Sequence, residues 1–436
     1  MRFREDGAVG EAVSDDVAST TMPASWAQAA RLRNHERYGG YDALYNLFFA
    51  DTGQTFDNVS RAIRSTLERE STYRITGGGR ASDGRMLVTV AAGPPEVVID
   101  RVACGTPADA ESWCRSVAAR GFSVHDGALL WRVAVFEIES TDALAVGLIC
   151  DHLVCDGRSL WLFERAVNCT HQRSTRLAQP YLSWARSQVT EFGRSMGEHG
   201  GLAQDFWRRY LAGGQADAAS ALDIAVPSAA AFRGVAVTVC APLQSSLTDV
   251  RQAAVAQSVL PLAVVLAKVS AITMRHAVSD DVSLRFITHG RPPGYSRTHG
   301  FFADSLPFRA DRSLLDGDQQ AIHLVARFLE QASPYQDTPW DFIRTRCGGQ
   351  PVPVDREPGD RQLVVNLVPY DVDQWPMGPL EPVVRHHGHI ESLHVVVGLD
   401  ATGPGRVSAT FNPDHFDLPG VQSFVAALCY DLDRPT

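Results

Sequence analysis

The sequence predicts a mixed α/β protein assembled from two lobes of similar size. Three observations carry this expectation. At 436 residues the chain is long enough for two ordinary domains. Segments with helical spacing alternate with short apolar runs along its whole length. A small-residue stretch, GGQADAAS at 213–220, has the composition of a linker. The lobes are therefore expected at residues 1–212 and 213–436.

The elements follow in order. SWAQAARLRNHERY and DNVSRAIRSTLEREST place apolar residues at helical intervals, whereas GGGRASDG at 77–84 reads as a low-complexity loop. LLWRVAVFEIES and ALAVGLICDH read as two strands joined by the turn STD. SLWLFERAV reads as a helix for which Ser159 serves as cap. Past the linker, TDVRQAAVAQSVLPLAVVLAKVSAITMRHA reads as one or two helices, DVSLRFITHG and QLVVNLVPY as strands, and VQSFVAALCYDL as a closing helix. The aromatic pairs Trp161/Phe163, Phe301/Phe302 and Trp340/Phe342 are assigned to the core. Arg31, Arg33 and Arg37 read as a solvated helix face, with docking of an acidic partner as the alternative.

A net charge of −10 excludes a general nucleic-acid binder, because phosphate recognition needs a basic surface. No apolar run is long enough to cross a bilayer, and MRFREDGAVGEAVSDD lacks a basic then apolar leader. A cytoplasmic protein with no membrane partner is expected. Eight cysteines without a CxxC pair suit reduced structural thiols.

ICDHLVCDGRSLW, residues 149–161, concentrates the chemistry. The apolar run points to a strand buried on both faces, with His152 at its end. Imidazole titrates nearest neutrality, so it can take a proton from an amine or hydroxyl as that group attacks a carbonyl. Gly157 permits the turn and lets a backbone N–H approach the reacting carbonyl. Asp156, if buried, needs a cationic partner. Cys155 reads as a small buried thiol rather than a nucleophile. In RHHGHIESLH, His387, His389 and Glu391 would share one strand face, which suits either a metal or a channel lining. No metal is expected.

Read in order, further segments carry a resemblance. SWAQAARL (25–32), RESTYRIT (69–76), DHLVCDGRS (151–159), PYLSWARS (180–187), DFWRRYLAG (205–213), HGFFADSLPFR (299–309), YQDTPWDFI (335–343), VVNLVPY (364–370) and SATFNPDHFD (408–417) stand in the order of the signatures of nonribosomal peptide synthetase condensation domains. The chain resembles that family, relatives of chloramphenicol acetyltransferase that share HxxxDG. The resemblance implies two acetyltransferase-like α+β sandwiches forming a V-shaped pseudo-dimer, with His152 on the floor of a central tunnel. Asp151 replaces the first histidine of the double-histidine form, and Asp304 replaces the asparagine of GxFVN.

The function implied is acyl transfer by a free-standing condensation enzyme. An acyl or aminoacyl group passes from the phosphopantetheine thioester of a carrier protein, met in trans, to an amine or hydroxyl acceptor that is a small molecule or carrier-bound. His152 is the expected base, with Gly157 beside it. Asp156 is expected in a structural ion pair with Arg291, or failing that Arg285. Asn366, Asp304 and Ser305 are expected to bind substrate, although a strand amide such as Asn366 also serves by capping backbone. No bound cofactor is implied. An acyl-CoA-dependent O- or N-acyltransferase of the same fold is the alternative, and a non-catalytic recruitment module the next.

Overall fold

The computed structural model describes residues 19–38, 43–168, 179–193, 196–213, 222–226, 236–347, 363–370, 383–385 and 392–434. In the N-terminal half the elements are β1 (Ser19–Pro23), α1 (Trp26–Tyr38), β2 (Leu44–Phe49), α2 (Phe56–Arg69), β3 (Ile75–Arg80), β4 (Met86–Ala91) and β5 (Ile99–Cys104). There follow α3 (Pro107–Arg120), β6 (Trp131–Ile138), β7 (Ala143–Cys150), α4 (Gly157–Asn168), α5 (Tyr181–Glu191) and α6 (Glu198–Leu211). The C-terminal half runs β8 (Ala236–Leu243), α7 (Leu247–Ala256), α8 (Pro261–Arg275), β9 (Asp281–Thr288), β10 (Asp304–Asp311), α9 (Asp318–Ala332) and α10 (Trp340–Arg346). It ends with β11 (Leu363–Tyr370), β12 (Val383–Arg385), β13 (Leu393–Asp400), β14 (Gly405–Phe411) and α11 (Leu418–Leu432).

Local chemistry explains where these elements begin. The Thr55 side chain accepts the Asn58 N–H to cap α2, whose Val59, Ile63 and Leu67 form a buried stripe at intervals of four. Capping boxes open α3 at Thr106/Asp109 and α7 at Ser246/Asp249. Pro261 begins α8, and residues 263–274 of that helix are all buried, as befits an element surrounded by the core. Among the described residues no single helix is long and apolar enough to cross a membrane; the α7–α8 pair passes only as a unit bent by 96°.

Three sheets result among the described residues. Strands β1-β4-β3 form one of three strands, β2-β7-β6-β5 one of four, and β10-β9-β11-β13-β14-β8-β12 one of seven. β7 lies inside the four-stranded sheet with Ala145–Cys150 buried, which accounts for its unbroken apolar run. Both halves thus carry sheet and helix, as the mixed α/β expectation required.

Several expectations need correction. GGGR at 77–80 belongs to β3 and pairs with β4; the backbone passes so near the Val124 carbonyl that a Cβ on Gly77 would collide with it. Helix α6, placed in the first lobe by the 212/213 division, buries Ala203 and Trp207 in the core that also holds the seven-stranded sheet. The aromatic rings of Trp207 and Tyr210 lie against Phe328 of α9. Only Gly213 of the GGQADAAS stretch lies within the described residues. His387, His389 and Glu391 lie outside them, as does Cys169; the other seven cysteines are free thiols, six of them buried.

Candidate active site between the two halves

A cavity of about 3130 Å³ is lined from both halves of the chain. His152, Asp156, Gly157, Arg158 and Trp161 come from the β7–α4 junction and Arg31 from α1. Arg285, His289, Arg291, Phe301, Asp304, Ser305, Trp340, Asn366 and His394 come from the other half. The register of the seven-stranded sheet explains the far wall. Thr238, Thr410, His394, Val364 and Arg285 are successive cross-strand partners, so their side chains share a face.

The β7–α4 loop is held on all sides. Gln28 Nε2 donates to the Leu153 carbonyl at 2.9 Å and Thr72 Oγ1 to the Val154 carbonyl at 2.7 Å. Asp156 caps α4: its Oδ1 accepts the Ser159 N–H at 2.8 Å. The expectation that Ser159 is the cap is therefore corrected, because the helix starts two residues before it. Ser159 is buried in the third helical position, its hydroxyl 2.8 Å from Asp156 Oδ1 and 2.9 Å from the Gly300 carbonyl.

Arg291 meets Asp156 in a two-pronged pair, Nη1 to Oδ2 at 2.9 Å and Nη2 to Oδ1 at 2.8 Å, with both residues buried. The backbone N–H groups of Phe302 and Ala303 also donate to Asp156 Oδ2, each at 3.1 Å. Burial alone would raise the Asp156 pKa, but Arg291 and the Ser159 donors outweigh it and hold the carboxyl below its ordinary range. Arg285 takes a different place: its Nε donates to Ser305 Oγ at 2.8 Å and its guanidinium stacks on Trp340. Gly290 makes the turn into Arg291 possible, with φ at +57° and the Phe302 carbonyl where a Cβ would lie.

His152 follows the strand and packs against Phe301, their ring centroids 4.5 Å apart. Its Nδ1 is buried and has no hydrogen-bond partner among the described residues. Burial, then the positive charge of Arg31, lower its pKa to about 4, so the ring is neutral at physiological pH. Gly157 opens α4 without a left-handed φ, and a Cβ there would meet open space. Asp304 accepts from the Ser305 and Trp340 N–H groups at 2.7 and 3.2 Å, and burial raises its pKa to about 6. Asn366 lines the cavity with Ser305.

Sequence reasoning missed part of this wall. His289 accepts the Arg291 N–H on Nδ1 at 3.1 Å, and His394 has its pKa lowered to about 4 by burial and Arg285. The first stands beside the Gly-Arg turn of ITHGRPP, and the second could have been found from strand alternation in RHHGHIESLH. Each aromatic pair assigned to the core is split. Phe163, Phe302 and Phe342 are buried, whereas Trp161, Phe301 and Trp340 line the cavity, Trp161 with 38% exposure. Nor are Arg31 and Arg33 a solvated face: Arg31 grips Asp151, and Arg33 pairs with Asp341 of α10. The side chain of Arg37 lies outside the described set. Cys155 is buried with its thiol pKa pushed well up by burial, which keeps it protonated.

A loop carrying histidine and an ion-paired aspartate thus faces a cavity built from both halves of the chain. The family model described as Condensation domain matches residues 97–353, more than half of the sequence, and the chain belongs to that family. Condensation domains are in general acyl or peptidyl transferases, so the family membership is consistent with a transferase. Solved structures agree in fold. The condensation domain of Monacolin K polyketide synthase MokA matches with TM-score 0.74 at 13% identity, over 95% of this chain and 97% of that one. The first condensation domain of the calcium-dependent antibiotic synthetase, in complex with a substrate analogue, matches at 0.70 and 18%, over 95% and 98%. A mutant starter condensation domain of rhizomide synthetase RzmA, in complex with C8-CoA and Leu-SNAC, matches at 0.72 and 16%, over 95% and 94%. No curated protein matches the sequence.

Proposed function

We propose that this chain is a condensation enzyme in which His152 acts as general base while an acyl or aminoacyl group moves from a carrier-protein phosphopantetheine thioester to an amine or hydroxyl. Delivery of the donor in trans, in the cytoplasm, is part of this reading. The observation that carries it is the placement of a neutral imidazole in the wall of a cavity to which both halves contribute. A neutral ring accepts the acceptor's proton as the nucleophile attacks the thioester carbonyl; on collapse the thiolate leaves and takes up a proton. With Nδ1 buried, Nε2 is the nitrogen assigned to this task.

Gly157 supports the step in a second way. First-turn N–H groups of a helix have no intrahelical acceptor, and the residue lines the cavity, so its N–H is the donor assigned to the oxyanion. Asp156 and Arg291 hold the loop and the Phe302–Ala303 segment in place rather than touch substrate. Asp304, Ser305 and Asn366 are assigned to the acceptor or donor arm from their place in the cavity wall.

The test is intact-protein mass spectrometry of loaded carrier proteins with an acceptor, with and without the enzyme. His152→Ala is expected to stay folded and lose at least about 10²-fold in turnover. Near-normal turnover would refute the base, and full biological activity of the variant would favour a recruitment module. An acyl-CoA donor is the second reading, favoured by the C8-CoA complex of the rhizomide synthetase domain. Parallel assays with acyl-CoA and acyl carrier protein separate the two.

A further inference from the structure

Both chain neighbours of His152 are tied to a single helix. Asp151 is buried and accepts from Arg31 of α1 twice, Nε to Oδ1 at 3.3 Å and Nη2 to Oδ2 at 2.9 Å. His35, one turn further along α1, places Nε2 3.2 Å from Oδ2. Asp151 Oδ1 also accepts the Leu153 N–H at 2.7 Å, closing a side-chain turn around His152. On the far side Gln28, one turn before Arg31, holds the Leu153 carbonyl. Arg31 itself lines the cavity.

We propose that Arg31 is a positioning residue for His152: by gripping Asp151 it fixes the imidazole in the cavity wall and keeps a permanent positive charge beside it. The need arises from Asp151. A buried carboxylate one residue from a base strengthens that base's hold on a proton and so raises its midpoint. The guanidinium cancels this field. The groups acting on the ring are Arg31 from α1, Asp151, Asp156 and the Cys155 backbone from its own loop, with Asp156 offset by Arg291. Phe301, from the segment before β10, adds no charge. Of these, burial and Arg31 favour the neutral ring and the remainder oppose them.

The catalytic consequence rests on His152 being the base, but the test does not. Imidazole NMR titration of the full-length protein labelled with ¹³C-histidine, the His152 signal assigned with His152→Gln, reads the ring without turnover. Arg31→Gln is expected to raise the His152 midpoint by about one pH unit, a tenfold gain in proton affinity. Arg31→Lys keeps the charge and is expected to leave the midpoint close to wild type. The same Arg31→Lys protein, having lost the two-pronged grip, is expected to exchange amide hydrogens in 151–156 about tenfold faster by mass spectrometry. An unmoved midpoint in Arg31→Gln overturns the charge role. Unchanged protection in Arg31→Lys overturns the grip, and this variant decides the matter if Arg31→Gln does not fold. Loss of activity in His152→Ala kinetics is a separate result, so the two readings fail independently.

Discussion

Replacing Arg291 with methionine gives the sharpest test of how this site is held together. The substitution keeps length and bulk but removes both prongs on Asp156, the contact of Nη2 with Ser159 Oγ at 2.9 Å, and donors to the His289 and Thr298 carbonyls. Breaking a buried pair costs about 3–5 kcal/mol, chiefly because the surviving charge is stranded. Asp156 would retain the Ser159, Phe302 and Ala303 N–H donors, which places the loss near the lower bound. At about 2.1 cal/mol/K per residue, a chain of this length has an unfolding entropy of roughly 0.9 kcal/mol/K, so about 3 kcal/mol corresponds to a melting shift of ~3 °C. Thermal melts and urea titrations of Arg291→Met, Asp156→Asn and the double variant read both the cost and the coupling. The expected coupling is at least about 1 kcal/mol. Additive losses, or a melting temperature unchanged within error for Arg291→Met, would refute the structural role. A stable but inactive Asp156→Ala protein would instead make Asp156 a participant in the chemistry.

Two other predictions follow from the same site. Gly157→Ala is expected to keep its melting temperature, because the added methyl meets open space, yet to lose at least about tenfold in turnover by intruding on the reacting groups; normal kinetics would mean that no reacting group approaches the Gly157 Cα. Acid should destabilise the protein in a window set by buried imidazoles. His152, His299 and His394 have folded pKa values lowered to about 4, about 3 and about 4, first by burial, so the unfolded chain takes up their protons first as pH falls below about 6.5. Stability present above that pH is therefore lost progressively toward pH 4. Asp304, raised to about 6, acts in the opposite sense between about pH 6 and 4, leaving a net uptake on unfolding of about two protons near pH 5. Urea midpoints at pH 7.5, 6 and 5 check this, and a flat series would contradict it.

The fold and the reactive loop were legible in sequence because both depend on short-range signals. The apolar runs of β6 and β7, the stripe of α2 and the burial of α8 are properties of consecutive residues, and so is the strand-to-helix junction that carries His152. The order of the segments resembling condensation domains extended this over most of the chain. What sequence could not supply was which side chains meet across long separations. Arg31 reaches Asp151 over 120 positions, and the pairing of Arg291 with Asp156 over 135 was expected only through the family resemblance, not from any local pattern. Within each aromatic pair, composition is blind to which ring faces the core and which the cavity, because both surfaces are apolar.

The 14 histidines make the same point. Sequence by itself determined the residue types, the elements and the position of an imidazole at a strand end. Only tertiary structure decided that His152 is neutral, that Asp151 is offset by a helix far ahead of it, and that α6 packs into the second core. Proton affinity depends on desolvation and on charges within a few ångströms, and those distances exist only once the chain has closed on itself.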